Sequence, residues 1–268
     1  YISTSPHDAG TAYVAIDGHR SDVMAPIALV TTNLGKSWQS IAGDLPKDEA
    51  VQLVIEDLSN GDVLYCGTQF FAYVSFDRGA HWLKLNGTTL PPAPVHDIKI
   101  HPRERDLVVG THGRSIWILD DISMFGQATP ELRAKPIALF DMLPARPRLR
   151  PGRDYGNAQG IFRAKNPPMG AYINYWVRDA ASDPVSVTVA DSTGFVLREL
   201  EGPSRPGFNR VVWDLRADEK HRFNPSPNEE PGPEQFVPAG KYKVTIKMGD
   251  TKDSKTVAVL PFAMGKTR

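Results

Sequence analysis

Ser75-Phe76-Asp77-Arg78-Gly79-Ala80-His81-Trp82 sets a serine, an aspartate two residues on, a glycine two further and a tryptophan three beyond that in one short run. The spacing predicts a tight turn between two antiparallel strands. Gly79 supplies a backbone conformation that a side chain resists. The Asp77 carboxylate is placed to accept hydrogen bonds from N–H groups of its own turn. Trp82 opens the next strand with a ring to bury between neighbouring sheets. Thr31-Thr32-Asn33-Leu34-Gly35-Lys36-Ser37-Trp38 repeats the pattern with Asn33 in the aspartate's place. Asn33 keeps the acceptor oxygen without the charge, so this copy forms the turn as well. Trp38 and Trp82 are 44 residues apart, a spacing that suits one four-stranded propeller blade. The motif is a structural device and predicts no catalysis by itself.

A second repeat runs alongside the first. Tyr13-Val14-Ala15, Leu64-Tyr65-Cys66-Gly67-Thr68 and Leu107-Val108-Val109-Gly110-Thr111 each follow a polar turn and close on a small residue. Gly67 and Gly110 are 43 residues apart, close to the tryptophan spacing, whereas Ala15 to Gly67 is 52 and marks a longer loop in the first blade. Three blades are therefore expected over residues 1–121, the last short of its outer strand. Full rings take about four to eight blades, so the rest of the ring is expected elsewhere, from N-terminal blades or a partner. An apolar blade face should lie open at the start of the chain. The chain also begins in mid-pattern at Tyr1, as the C-terminal piece of a longer protein would.

Composition narrows the classes. The 268 residues carry 31 Lys+Arg and 31 Asp+Glu, so no net charge draws the chain to nucleic acid or anionic membrane. Cys66, the single cysteine, has no partner for an internal disulfide and reads as a buried small hydrophobe. No apolar run approaches membrane-spanning length and no signal peptide is visible. The 22 glycines and 23 prolines, set between Val/Ile/Tyr alternations, favour short strands and turns over helices.

From Ile122 to about Pro168 the chain is rich in proline and arginine and shows no sustained period. It reads as an ordered connector across the propeller flank, with Ile137, Leu139 and Phe140 docking there. Its Arg146/Arg148/Arg150/Arg153 cluster is either an anion site or a solvated face. Alternation returns over residues 169–268. Val185, Val187 and Val189 share one face, as do Tyr242, Val244, Ile246 and Met248. Six or seven short antiparallel strands with hairpin turns at Ser192-Thr193-Gly194 and Met248-Gly249-Asp250 predict a two-sheet sandwich of immunoglobulin type. Asn224–Glu234 reads as a mobile loop. The expected class is all-β: a partial β-propeller of about three blades, then an immunoglobulin-like β-sandwich.

The two turn motifs resemble the Asp boxes of bacterial neuraminidase-type (BNR) repeat propellers. Gly207-Phe208-Asn209-Arg210-Val211-Val212-Trp213-Asp214-Leu215 and Pro238-Ala239-Gly240-Lys241-Tyr242 resemble the immunoglobulin-like domain of flagellar hook-capping proteins. The combination is similar to large secreted bacterial proteins described as glycosyl hydrolase-like, sialidase-like or sortilin-like. The resemblance implies an extracellular or periplasmic location, and a glycan or an extracellular protein or peptide as partner. It carries structural roles onto Ser75, Asp77, Gly79 and Trp82, and onto Thr31, Asn33, Gly35 and Trp38.

The catalytic sets of these relatives do not map onto the chain. Tyr65 and Glu56 are the nearest tyrosine–glutamate pair to a sialidase nucleophile, yet Tyr65 sits in an alternating core pattern. A glycoside hydrolase needs two facing carboxylates. Asp44, Asp57, Asp97, Asp120 and Asp121 can each be nominated, and no spacing selects two of them. Blade geometry instead picks out one end. If the boxes mark one side, the opposite mouth carries Asp17-Gly18-His19-Arg20, Thr68-Gln69-Phe70 and Thr111-His112-Gly113-Arg114. The loops around Asp44 and His96-Asp97 are expected on that side too. His19, Arg20, Gln69, Phe70, His112 and Arg114 suit hydrogen bonding and stacking against a sugar or peptide. Equally, His112 and Arg114 can simply tie a strand end to the next blade. Neither a metal constellation nor a cofactor motif is present in the sequence.

Overall fold

The computed structural model describes residues 1–85, 90–147, 167–218 and 236–262. They divide into two compact units, Tyr1–Thr129 and Pro130–Arg268. The chain is all-β, a three-bladed stretch of β-propeller followed by a β-sandwich with immunoglobulin-like strand order.

In the first unit, β1 (Ile2–Thr4), β2 (Ala12–Gly18), β3 (Val23–Thr31) and β4 (Gln39–Ser40) form one antiparallel sheet in chain order. The strands β5 (Val51–Glu56), β6 (Leu64–Thr68), β7 (Ala72–Ser75) and β8 (Leu83–Lys84) form a second of the same kind. Among the described residues the third has β9 (Val95–Ile100), β10 (Leu107–Thr111) and β11 (Ile116–Leu119). Period-two alternation decides what packs where. Cys66 stands opposite Val54 on one side and Tyr73 on the other. These three pack with Tyr13, Ala15 and Ala28 of the first blade in one apolar core. Burial and the nearby Glu49 push the Cys66 thiol far above its usual range.

The two box turns have the same wiring. The Ser75 Oγ accepts from the Gly79 N–H at 2.8 Å and donates to Asp77 Oδ1 at 2.8 Å, while Asp77 Oδ1 accepts from the His81 N–H at 2.9 Å. In the first blade, Thr31 Oγ1 accepts from Gly35 N–H at 2.9 Å and donates to Asn33 Oδ1 at 3.0 Å. Asn33 Oδ1 accepts from Ser37 N–H at 2.9 Å. Gly79 has φ 88° and Gly35 φ 81°, left-handed backbone that glycine adopts without a steric cost. Beyond the second box, Trp82 is 6% exposed, and its indole N–H donates to the Ile41 carbonyl of the preceding blade at 2.9 Å.

Where the third blade would turn into a fourth strand, the chain leaves through Asp120-Asp121 into a short helix, α1 (Ser123–Gly126). This helix packs beneath the second blade. Phe125 meets Phe76 edge to face at 5.8 Å between ring centroids, and Asn60 Nδ2 donates to the Gly126 carbonyl at 2.9 Å. The second and third blades are joined nearby by an ion pair. Asp57 is fully buried and accepts from Arg105 Nη2 at 2.9 and 3.0 Å, Tyr65 Oη at 3.0 Å and Ser59 Oγ at 2.6 Å.

The second unit opens with α2 (Pro130–Arg133). Its strands are β12 (Ile137–Leu139), β13 (Ala171–Val177), β14 (Val185–Ala190), β15 (Val196–Gly202), β16 (Gly207–Trp213), β17 (Gly240–Met248) and β18 (Thr251–Val259). They form a three-stranded sheet, β12-β13-β16, and a four-stranded sheet, β15-β14-β17-β18. Val185, Val187, Val189, Val244 and Ile246 point between the sheets and are fully buried, as are Ile173, Tyr175 and Trp213. Tyr242, near the start of β17, donates its hydroxyl to the Pro238 carbonyl four residues back at 2.7 Å. Its ring meets Trp213 edge to face at 5.4 Å.

One expectation is corrected here. Ile137, Leu139 and Phe140 do not lie across the propeller flank as a connector. Residues Ile137–Leu139 are the edge strand of a sandwich sheet, paired with Val177, Trp176 and Tyr175 of β13. Phe140 stacks on Phe208 at 5.8 Å. Ala145 then bridges to Val259 at the edge of the other sheet, its N–H donating to Ala258 O at 2.9 Å. All three residues of this short strand are buried, so it shows no alternation to mark it as a strand. Arg146 is exposed. Arg148, Arg150 and Arg153 lie outside the described residues, as does the Asn224–Glu234 loop.

Candidate functional site

The mouth turns are built by strand ends that stop at defined points. β2 ends at Gly18, which stands where a Cβ would meet Val23 Cβ at 2.7 Å. The turn that follows, His19–Ser21, closes on Asp22 in left-handed backbone, φ 58°. Within it, Asp17 receives His19 Nδ1 at 2.6 and 2.7 Å and the His19 N–H at 3.1 Å. Gln52 Nε2, from the first strand of the second blade, donates to Asp17 Oδ2 at 2.8 Å. Burial opposes the Asp17 charge, but the His19 ring, the His19 N–H and Gln52 outweigh it and hold the carboxyl below the usual carboxylate range.

The second mouth turn follows β6. Thr68 Oγ1 accepts from the N–H groups of Phe70 and Phe71 at 3.2 and 3.0 Å and donates to the buried Glu49 carboxylate at 2.7 Å. Tyr73 donates to the same Glu49 oxygen at 2.9 Å. Gln69 N–H donates to Ala50 O at 3.0 Å, and Phe70 O accepts from Ala93 N–H at 2.8 Å. The Phe70 ring is left 42% exposed. The third turn follows β10: His112 N–H donates to Pro94 O at 2.9 Å and the His112 ring stacks on His96 at 5.3 Å. Gly113 takes φ 73°, and Arg114 is exposed, its carbonyl accepting from the Trp117 indole at 2.7 Å.

His19, Arg20, Gln69, Phe70, His112 and Arg114 thus all fall in the turns between second and third strands. Each turn is tied at its base to the chain entering a first strand: Asp17 to Gln52, Gln69 to Ala50, and His112 to Pro94 and His96. Arg20, Phe70, His112 and Arg114 are exposed above these ties. On the first strands below, Lys99 donates to the Tyr1 hydroxyl at 2.9 Å and pairs with Asp97 at 3.2 Å. The Tyr1 hydroxyl also lies 3.3 Å from Asp97.

Sequence reasoning missed Gln52 and Glu49. The only signal for them was a polar residue interrupting an otherwise apolar run, Ala50-Val51-Gln52-Leu53-Val54, and an acid just ahead of it, Glu49. Asp44 was expected at the mouth and is corrected. Its Oδ1 accepts from the Trp82 backbone N–H at 2.7 Å, which places it beside the second box. β4 has only two residues, and the chain turns back at Ala42–Leu45 before it reaches the mouth. Gly43, φ 47°, permits that turn, since a Cβ there would lie 2.4 Å from the carbonyls of Gly79 and Ala80.

Asp57, Tyr65 and Asp121 are occupied within the fold. Asp57 is spent on Arg105 and Tyr65. The Tyr65 hydroxyl is fully buried, and desolvation with the Asp57 charge pushes it well above its usual range, so it offers no nucleophile. Glu56 is buried against the first blade, where burial first and Glu56 second push up Tyr13. Asp121 is buried and accepts from the Ser123 N–H. Among the described residues no group of three or more His, Cys, Asp or Glu could hold a metal ion. Among the described residues, these turns present the exposed side chains of Arg20, His112 and Arg114 and the Phe70 ring.

The fold and this end of it define an all-β propeller-and-sandwich protein. No family model matches the chain, and no curated protein matches it. Among solved structures, the extracellular domain of the one-component system BT4673 from B. thetaiotaomicron is 12% identical, with 97% of this chain and 31% of that one covered and a TM-score of 0.33. An ancestral GH74 enzyme is 14% identical, over 91% of this chain and 32% of that one, with a TM-score of 0.36. YCF48 bound to D1 peptide is 13% identical, over 71% and 51%, with a TM-score of 0.27. The chain spans about a third of the length of the first two. At these TM-scores the likeness carries no argument about the site.

Proposed function

We propose that this chain is the non-catalytic propeller and sandwich portion of a secreted BNR-type protein, and that its mouth binds a glycan or an extracellular protein or peptide. One observation carries the reading: the exposed side chains Arg20, Phe70, His112 and Arg114 stand on turns whose bases are fixed, while the neighbouring carboxylates Asp17 and Glu49 are consumed by internal hydrogen bonds. Fixed turns with free donors and an aromatic face favour recognition, since little side-chain and loop order remains to be imposed on binding. The wiring of Ser75, Asp77 and Gly79, repeated at Thr31, Asn33 and Gly35, supports the Asp-box assignment. The strand order of the second unit and the Tyr242 corner support an immunoglobulin-like domain of the hook-capping type. No described helix is long and apolar enough to cross a membrane.

Glycan and peptide arrays probed with the chain, with Arg114→Ala and with His112→Ala test this. Binding by the parent that falls at least tenfold in both variants, with unchanged melting, supports the mouth as the site. Equal binding by all three removes it. The alternative is one wall of a glycoside hydrolase cleft whose catalytic carboxylates lie mostly outside this chain. It rests on Asp97, whose side chain stays about half exposed at the mouth. Reducing-sugar release that disappears in Asp97→Asn would establish that alternative.

A further inference from the structure

The sandwich sheet β15-β14-β17-β18 has one side in the core, where Val187, Val244, Ile246 and Val257 are buried. On its other side, register sets the side chains in cross-strand rows. Glu201, Ser186, Lys247 and Lys252 form one row, and Glu199, Thr188, Thr245 and Ser254 the next. Ala190, Lys243 and Thr256 follow, then Lys241 beside Ala258. Lys241, Lys243, Lys247 and Lys252 are exposed, and none of their ammonium groups has a partner among the described residues. The other two charged residues of β18 turn away from them. Lys255 Nζ pairs with Asp141 at 2.7 Å, and Asp253 Oδ2 accepts from the Leu139 N–H at 2.9 Å. Opposite charges across from one another stabilise a sheet surface, and like charges destabilise it. Here Lys247 stands across from Lys252, while Glu199 and Glu201 face only the hydroxyls of β14. Two strand spacings, about 10 Å, separate those acids from the lysine row. Lysine on an edge strand blunts edge-to-edge association. Three of these four lie on β17, which is paired on both sides, so edge protection does not account for them.

We propose that this face of the sandwich binds a linear acidic polysaccharide, with the sugar chain laid along β17 and its carboxylates on the lysines. From Lys241 to Lys247 the stripe runs about 20 Å, room for several sugar units. The charge pattern favours this occupant over other polyanions. The stripe is two strands wide and has acid beyond it at Glu199 and Glu201, so it complements a single chain and repels a broad anionic surface such as a bilayer. The outward strand positions carry no aromatic ring on which bases could stack and no arginine to hold a phosphate in two places. They carry hydroxyls instead. Thr245 and Ser254, joined by a hydrogen bond at 2.8 Å, lie between the Lys247 and Lys243 rows, and Thr256 lies beside Lys243. A hydroxyl both donates and accepts, as the hydroxyls of a sugar do. All of these residues belong to the second unit, so the inference goes beyond the proposed mouth and stands or falls without it.

The probes are polygalacturonate and the same polymer with its carboxylates methyl-esterified, each titrated into the 268-residue chain at fixed ionic strength. The acidic polymer should bind and the esterified one should not, and affinity should fall as salt rises. Lys243→Gln, Lys247→Gln and Lys252→Gln together should weaken binding roughly tenfold, the loss of three exposed charge contacts, with the melting temperature unchanged. Lys→Arg at the same three positions should keep the affinity, and Lys255→Gln should match the parent because that ammonium is turned towards Asp141. No binding by the parent, equal binding of the two polymers, or equal binding by the parent and the triple glutamine variant overturns the proposal. A loss with arginine as large as with glutamine also overturns it, since charge would then not be what binds. Tighter binding of single-stranded RNA or of phosphatidylserine vesicles than of polygalacturonate overturns it in favour of nucleic acid or membrane. Binding that is lost in Arg114→Ala and kept in the triple glutamine variant would place the polymer at the propeller mouth, which sinks this inference and leaves the proposed function standing.

Discussion

Asp77 and Asn33 occupy the same place in two turns and differ by one charge. Both accept from a backbone N–H four residues on and from the hydroxyl two residues back. Replacing Asp77 by Ala leaves those donors without an acceptor, and chemical denaturation should show a loss of about 1–3 kcal/mol. An unchanged midpoint would mean that the backbone alone holds the turn. Only the second box carries a pH-dependent contact, between His81 Nδ1 and Asp77 Oδ2 at 2.7 Å. The hydrogen bond to Asp77, then its charge, raises the His81 pKa above the usual imidazole range. Burial works against the Asp77 charge, but the His81 N–H, the His81 ring and Ser75 outweigh it and lower the carboxyl. A raised histidine stabilises fully below its unfolded pKa of about 6.5 and loses that contribution as pH rises through its folded value. A lowered aspartate stabilises above about 3.9 and loses its contribution as pH falls through its folded value. The contact is therefore strongest between roughly pH 4 and 6.5. The difference in melting temperature between the parent and His81→Gln should be largest near pH 5.5 and shrink above pH 7. A difference that is flat with pH would assign His81 no ionic part.

The blades are also held together by contacts that lie outside the repeat, among them the buried Asp57–Arg105 pair. Arg105 stands at φ 59° in the loop after β9 and reaches into the loop after β5, where Asp57 also takes Tyr65 and Ser59. Removing the guanidinium leaves a carboxylate without its countercharge inside the protein. Arg105→Ala should therefore cost about 3–5 kcal/mol, and Arg105→Lys should recover part of it, read in denaturant titrations. A cost under about 1 kcal/mol would place the pair with surface ion pairs. This element shows what sequence could and could not tell. The box turns were legible because serine, aspartate, glycine and tryptophan act on their own few residues. The valine alternations of β14 and the Tyr242–Met248 face were legible because one side of each is buried. Asp57 with Arg105, and Asp17 with Gln52, are partners 48 and 35 residues apart, joined only after the sheets have packed. Asp44 was misplaced because nothing in Gln39-Ser40-Ile41 states that the fourth strand stops after two residues. The mouth side chains were legible as turn residues, but what fixes them was not.

At the scale of the whole chain, the two units have separate apolar cores, one around Tyr13, Cys66, Tyr73 and Trp82 and the other around Tyr175, Val187, Trp213 and Ile246. Ile137–Leu139 belongs to the second core, so the change of composition at Ile122 marked the end of the repeat and not the end of a unit. The first compact unit runs on to Thr129, because α1 seals the underside of the second blade. Two cores divided in this way should unfold as two cooperative transitions, each answering to substitutions in its own core. Tyr242→Phe removes only the hydroxyl that reaches Pro238 and keeps the ring against Trp213. It should lower the sandwich transition by about 1 kcal/mol and leave the propeller transition in place. Asp77→Ala should do the reverse. Scanning calorimetry on the parent and the two variants separates the cases, because each variant labels one transition. A single transition shifted by both substitutions would show that the two cores melt as one, and the sandwich would then have to be counted among the supports of the blades.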